Sequence, residues 1–85
     1  MEVYELMSKY RQKNPHGHFF DSDTLRFFGE RVSEMRVLKG TVKKTDIDGE
    51  QHECYILSTL QRKHPIRPTR VYHYFDSITF NQVIM

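Results

Sequence analysis

The stretch Gly17-His18-Phe19-Phe20-Asp21-Ser22-Asp23-Thr24-Leu25-Arg26-Phe27-Phe28 holds four of the chain's six phenylalanines around an acidic, hydroxyl-rich turn. Each buried aromatic ring removes on the order of 150–250 Å² from water, so a small protein would seat the pivot of its core here. Asp21, Ser22 or Asp23 can start a helix by accepting a hydrogen bond from a free backbone N–H. With Asp21 as the cap, Phe20 precedes it and Leu25 falls at the fourth helical position, the spacing of a hydrophobic staple. The acidic residues also suit the positive end of a helix dipole. Leu25, Phe28 and Val32 then form an inward stripe with Phe27 beside it, which predicts a helix from about residue 22 to residue 33.

On the N-terminal side, Val3, Leu6, Met7 and Tyr10 fall at i, i+3, i+4 and i+7, one stripe of a first helix. Asn14-Pro15 ends it, because a residue before proline is pushed out of the helical region. On the C-terminal side, Met35 to Thr45 is rich in β-branched residues, and Asp48-Gly49 separates it from a second extended run. An Asp-Gly pair between such runs signals a hairpin. A two-residue loop would pair Ile47 with Glu50, Thr45 with His52 and Val42 with Tyr55. Gln51 to Leu60 carries apolar residues on both faces and is expected to be the central strand. Arg70 to Phe75 follows as an aromatic strand, Asp76-Ser77 as a turn, and Ile78 to Ile84 as a last strand.

The fold class expected is therefore α+β, with two N-terminal helices packed on an antiparallel sheet of three to five strands. The chain's 85 residues make one domain, 1–85, whose core has little room for an internal cavity. Phe19, Phe20, Leu25, Phe28 and Val32 are expected to meet Val42, Ile56, Leu57, Val71 and Phe75. A single cysteine, Cys54, rules out an internal disulfide and a multi-cysteine zinc site. The acidic start Met1-Glu2-Val3-Tyr4-Glu5 lacks the apolar segment of a secretory signal. No apolar run approaches the roughly 18 residues of a membrane span. These features point to a soluble protein of the cytoplasm that does not engage a membrane.

The net charge of +2 is too small to argue for nucleic acid by itself, but its distribution is uneven. Arg62, Lys63, His64, Arg67 and Arg70 cluster around two prolines, close to Tyr72 and Tyr74, which share one strand face. Tyrosine and arginine are preferred anchors of protein interfaces. Cations beside exposed rings also hold a phosphate backbone and stack bases. These seven residues are the candidate binding site, for a protein partner or alternatively for nucleic acid. Other constellations favour structural readings. His16 and His18 near Asp21 and Asp23 resemble metal ligands, yet a turn and helix cap account for them, and no metal or other cofactor is expected. Asp46-Ile47-Asp48-Gly49 fails the register of a calcium loop because Lys44 stands where an acid is needed. Cys54 and His52 share a strand face, but no third group or oxyanion donor accompanies them, so no catalytic residue is expected.

The Gly17–Phe28 stretch resembles a family of small, functionally uncharacterised proteins encoded in bacteriophages, prophages and plasmids. Its members carry a Gly-His-Phe-Phe segment followed by Asp/Ser-x-Thr-Met/Leu-Arg-Phe-Phe. The likeness continues more weakly through Tyr55-Ile56-Leu57-Ser58-Thr59, Arg62-Lys63 and Tyr72-His73-Tyr74-Phe75-Asp76. It covers roughly residues 14 to 80. The resemblance implies a mobile-element origin and action inside a host cell. It carries no established activity and hence no functional residue. Together with the residue pattern it implies a non-enzymatic accessory protein that binds a host or phage protein. Nothing in the sequence fixes the oligomeric state.

Overall fold

The computed structural model describes residues 1–15, 20–21, 26–27, 30–61 and 67–85, with the backbone alone at 20, 21, 26, 27 and 30. One helix, α1 (Val3–Lys13), precedes six strands: β1 (Phe20–Asp21), β2 (Arg26–Phe27), β3 (Glu30–Val37), β4 (Val42–Thr45), β5 (Gln51–Gln61) and β6 (Thr69–Asp76). All pairings are antiparallel. The substantial sheet is built from β3, β4, β5 and β6, and the two-residue strands β1 and β2 continue it beyond the start of β3.

The first helix forms where its apolar stripe places it. Leu6 and Met7 are buried, and Val3 and Tyr10 pack beside them against Val32, Leu57 and Phe75. The Tyr10 ring meets Phe75 edge-on, with centroids 6.0 Å apart. Asn14 closes the helix: its backbone N–H donates to the Tyr10 carbonyl at 2.9 Å. Its side-chain amide donates to the same carbonyl at 3.2 Å and to Asn81 Oδ1 at 2.8 Å. The end of α1 is thereby tied to the C-terminal segment.

The second helix expected over residues 22–33 does not form. Arg26–Phe27 and Glu30–Val37 are strands, and Asp21 lies in β1 rather than at a helix cap. The Leu25, Phe28, Val32 spacing fits a helical stripe, but from Val32 onward the backbone groups are claimed by the long strand β5. Pairing along a buried neighbour overrides a short helical period. A one-residue irregularity at Ser33 then puts Val32, Met35 and Val37 toward the core, a pattern that neither strict helical nor strict strand periodicity reproduces.

Strand β5 is the centre of the sheet, as its two-sided apolar pattern predicts. On one edge it pairs with β6 over its last eight residues, Cys54↔Asp76 to Gln61↔Thr69. Its other edge is shared by two strands in tandem, β4 along Gln51–Cys54 and β3 along Leu57–Gln61. From Val37↔Leu57 to Val42↔Cys54 the chain advances five residues on one side and three on the other. This two-residue excess is absorbed where Gly40 adopts φ +83, so the single strand expected over Met35 to Thr45 is broken in two.

The hairpin falls where Asp48-Gly49 predicts, one residue out of the expected register. Thr45 faces Gln51, and Val42 faces Cys54. The loop has three residues, not two: Asp46 N–H donates to the Glu50 carbonyl at 2.8 Å, and Gly49 N–H donates to the Asp46 carbonyl at 3.1 Å. Gly49, at φ +86, supplies the left-handed residue that lets such a turn rejoin the ladder. Residues 78–84 do not form the expected last strand. They turn back along β6 through Asp76 N–H to Asn81 C=O and Val83 N–H to Tyr74 C=O, with a single bridge between Phe75 and Gln82.

Register sorts the expected core. Val32, Leu57 and Phe75 are in it, packed by α1. Ile56 and Val42 alternate to the opposite face, since Leu57 faces α1 and side chains alternate along a strand. Phe19, Leu25, Phe28 and the side chain of Phe20 lie outside the described residues. Truncating Phe75, fully buried at the centre, to alanine is expected to cost about 3–5 kcal/mol, measured as a lowered urea midpoint. Gly49→Ala meets no steric obstacle at Cβ, so its cost should be the left-handed backbone alone, about 1–2 kcal/mol by the same measurement.

Candidate functional site

No element among the described residues covers the sheet face opposite α1. Cross-strand register lays three rows across it: Glu34–Leu60–Arg70, Arg36–Ser58–Tyr72 and Val42–Cys54–Asp76. Tyr74, beside Ile56, and Lys44, beside His52, complete it. Arg36, Arg70 and Tyr72 are exposed, with Tyr72 at 49%, while Lys44 and Tyr74 are half-buried. Of the sequence-predicted site, Arg70, Tyr72 and Tyr74 therefore come together on one face, and Arg67 is exposed just before β6. Arg62, Lys63 and His64 lie outside the described residues. The structure adds Arg36 and Lys44, which join the face only through pairing with β5.

Two long cations lie across β5 on this face. Lys44 Nζ sits 4.6 Å from the centroid of the Tyr74 ring. To reach β6 from β4 it must cross β5 at the level of Cys54, which is fully buried on a face that no described helix covers. Arg70 Nη1 reaches back over β5, 2.7 Å from Ser58 Oγ and 3.5 Å from Glu34 Oε1, and Ser58 is 1% exposed. Both side chains thus lie along the middle strand, one ending on an aromatic ring and the other on a hydroxyl and a carboxylate. The face is a shallow mixed surface of cations, rings and half-buried aliphatics.

A second constellation lies at the end of the sheet. His52 stands between two carboxylates: Nε2 is 2.7 Å from Asp46 Oδ2, and Nδ1 is 2.8 Å from Asp76 Oδ2. Each aspartate uses its other oxygen to hold a turn. Asp46 Oδ1 accepts from the backbone N–H groups of Asp48 and Glu50, both at 2.9 Å. Asp76 Oδ1 accepts from Ile78 and Thr79 at 2.7 and 2.8 Å. The three side chains line an open cleft of about 380 Å³, whose far wall is Asn81 to Ile84. No sequence pattern singles out this triad, because Asp76 is 24 residues from His52 and meets it through the β5–β6 register.

The electrostatics follow from these contacts. The hydrogen bonds to Asp46 and then Asp76 raise the His52 pKa above its ordinary 6.5, against the opposing effect of burial. The bond from His52 and those from the Glu50 and Asp48 N–H groups lower Asp46 below the usual 3.8. Burial pushes Asp76 upward, but the Thr79 N–H, His52 and the Ile78 N–H together outweigh it and the carboxyl is lowered. Asp46, Glu50 and His52 bring ligand-type atoms within 4.8 Å of one another. Both His52 nitrogens are engaged by carboxylates, however, so the group acts as an internal clasp. His16, His18, Asp23 and the side chain of Asp21 lie outside the described residues.

Cys54 is no partner for His52, despite sharing its face. The thiol donates to the His52 carbonyl at 3.6 Å, and burial, with Asp76 adding to it, pushes its pKa up. A thiol so held is a poor nucleophile. Comparison of the chain with protein-family models, with curated proteins and with solved structures finds no match. No helix among the described residues is long and apolar enough to cross a membrane. In a thiol-modification assay at pH 8, folded protein is expected to react far more slowly than the urea-unfolded chain. A native rate near the unfolded one would contradict the burial of Cys54.

Proposed function

We propose that this is a small non-enzymatic protein that works by binding another protein through the sheet face opposite α1. The observation that carries the reading is the exposure of Arg36, Arg70 and Tyr72 together on a surface left uncovered by the described elements. Positive charge prevails there: Arg36, Arg70 and Lys44 stand against Glu34, which Arg70 contacts, and Asp76, which His52 engages. The complementary partner presents carboxylates around an apolar or aromatic patch, because Tyr72, Tyr74, Ile56 and Leu60 supply the apolar part. The reading of a phage or plasmid accessory protein acting on a host or phage protein inside the host cell rests on the Gly17–Phe28 motif. The non-enzymatic reading is supported by the chemistry of the cleft, where the imidazole is committed to two carboxylates and the nearby thiol is buried.

Nucleic acid is the second reading, favoured by the adjacency of Tyr72 and Tyr74 to Lys44 and Arg70. The two separate on salt and on the variant that weakens each. Affinity capture from host lysate with wild type and with the Arg36→Glu/Tyr72→Ala double variant in parallel should yield a partner held by wild type alone. With that partner purified, Tyr72→Ala is expected to cost about 2 kcal/mol, roughly 30-fold in Kd. A partner retained equally by the double variant would move the function off this face. Tight low-salt binding of a single-stranded oligonucleotide, falling steeply with added salt, would favour the nucleic-acid reading.

A further inference from the structure

We propose that Asp46, His52 and Asp76 form a proton-operated clasp that fastens the C-terminal segment, residues 77–85, across the end of the sheet. The argument starts from donor counting. A neutral imidazole has one N–H and one lone pair, and only the imidazolium has two N–H groups. An ionised carboxylate accepts but cannot donate. With an aspartate oxygen 2.7 Å from one ring nitrogen and another 2.8 Å from the second, both contacts are hydrogen bonds only while the ring is doubly protonated. Removing one proton sets a nitrogen lone pair against a carboxylate, and one side must move away.

The two sides hold different pieces of chain. Asp46 belongs to the β4–β5 turn, and Asp76 opens the turn from which residues 77–85 depart. The segment then crosses to the hairpin, where Ile47 N–H donates to the Ile84 carbonyl at 2.9 Å. Backbone bonds from Ser77 N–H to Glu53, from Asp76 N–H to Asn81 and from Val83 N–H to Tyr74 also hold it, as does the Asn14 amide on Asn81. Val83 is buried, and Phe80, in the left-handed region at φ 60, stacks on Tyr55, with Lys9 Nζ 5.0 Å from its ring centroid. A non-glycine residue in that region carries backbone strain, which the docked contacts hold in place. Its departure frees the Tyr74 carbonyl and the Asp76 N–H, which Val83 and Asn81 occupy, and so opens the end of the β6 edge.

The groups facing the ring are Asp46, Asp48 and Glu50 from the turn, Lys44 across the β4 ladder, Cys54 on β5, and Tyr74 and Asp76 on β6. Among the described residues, the C-terminal segment lines the cleft with the uncharged Thr79, Asn81, Gln82, Val83 and Ile84. The acids outnumber Lys44, which favours the charged ring. The direction of the pH response follows by linkage. A histidine raised above 6.5 contributes fully below that value, and its contribution is lost as pH rises through the folded midpoint. Carboxyls lowered below 3.8 contribute fully above that value, and theirs is lost as pH falls through their folded midpoints. The clasp is complete between these limits and opens on the alkaline side by loss of one imidazole proton.

The test is an NMR pH titration of the intact chain. His52 is expected to titrate above 6.5 with both ring nitrogens protonated at its acid plateau. The amide signals of Ile47, Phe80, Val83 and Ile84 should move with the same midpoint, and 15N relaxation should show residues 77–85 losing order above it. Signals from Leu6 and Met7 in α1 should not follow. In Asp76→Asn the His52 midpoint should fall. In His52→Gln the C-terminal amides should lose their response between pH 5.5 and 8. A His52 midpoint at or below 6.5, or C-terminal amides indifferent to it, overturns the proposal; both are read on the wild-type protein, so they hold even if a variant fails to fold.

Discussion

Everything in this molecule hangs on β5. Its eleven residues exceed the length of each partner, and a buried strand cannot leave one edge unsatisfied. One edge takes β6 as an unbroken ladder. The other takes β3 and β4 end to end, at the cost of a two-residue excess accommodated at Gly40. That requirement draws residues 30–37 into a strand. It also brings Glu34, Arg36 and Lys44 onto one face with Arg70, Tyr72 and Tyr74.

The two faces of the sheet solve the burial problem differently. Toward α1, Leu6, Met7, Val32, Leu57 and Phe75 exclude water by ordinary apolar packing. On the other side no described helix packs, and the long side chains of Lys44 and Arg70 lie across β5, one ending on the Tyr74 ring and the other on the Ser58 hydroxyl. A fully buried thiol and a nearly buried hydroxyl thus share this face with an exposed and a half-buried cation. It also gives the surface its mixed character, positive at the rim and apolar beneath, which suits recognition better than chemistry.

The end of the sheet is held by polar rather than apolar means. Asp46 and Asp76 each organise a turn with one oxygen and share His52 with the other. Two loops far apart in sequence are thereby joined through a single ring. Val83 is buried and Phe80 stacks on Tyr55 there, while Ile47 and Ile84 are exposed at 75% and 56%, so the join between the two turns themselves is polar.

Local features were legible from neighbouring residues alone. The Val3, Leu6, Met7, Tyr10 stripe and Asn14-Pro15 specify α1 and its end, Asp48-Gly49 specifies a hairpin, and the two-sided apolar run specifies a central strand. Each depends on residues within one or two turns of chain. The remaining features depend on how distant strands pair. A second helix over residues 22–33 satisfied every local rule, yet the unpaired edge of β5 outweighed them. The hairpin register shifted by one residue because Gly49 rejoins the ladder after a three-residue loop, and that step reassigns every side chain on β4. The grouping of Arg36 and Lys44 with Tyr72 and Tyr74, and the meeting of Asp46, His52 and Asp76, follow from cross-strand register. Register is a property of two strands at once, so no window along one strand contains it.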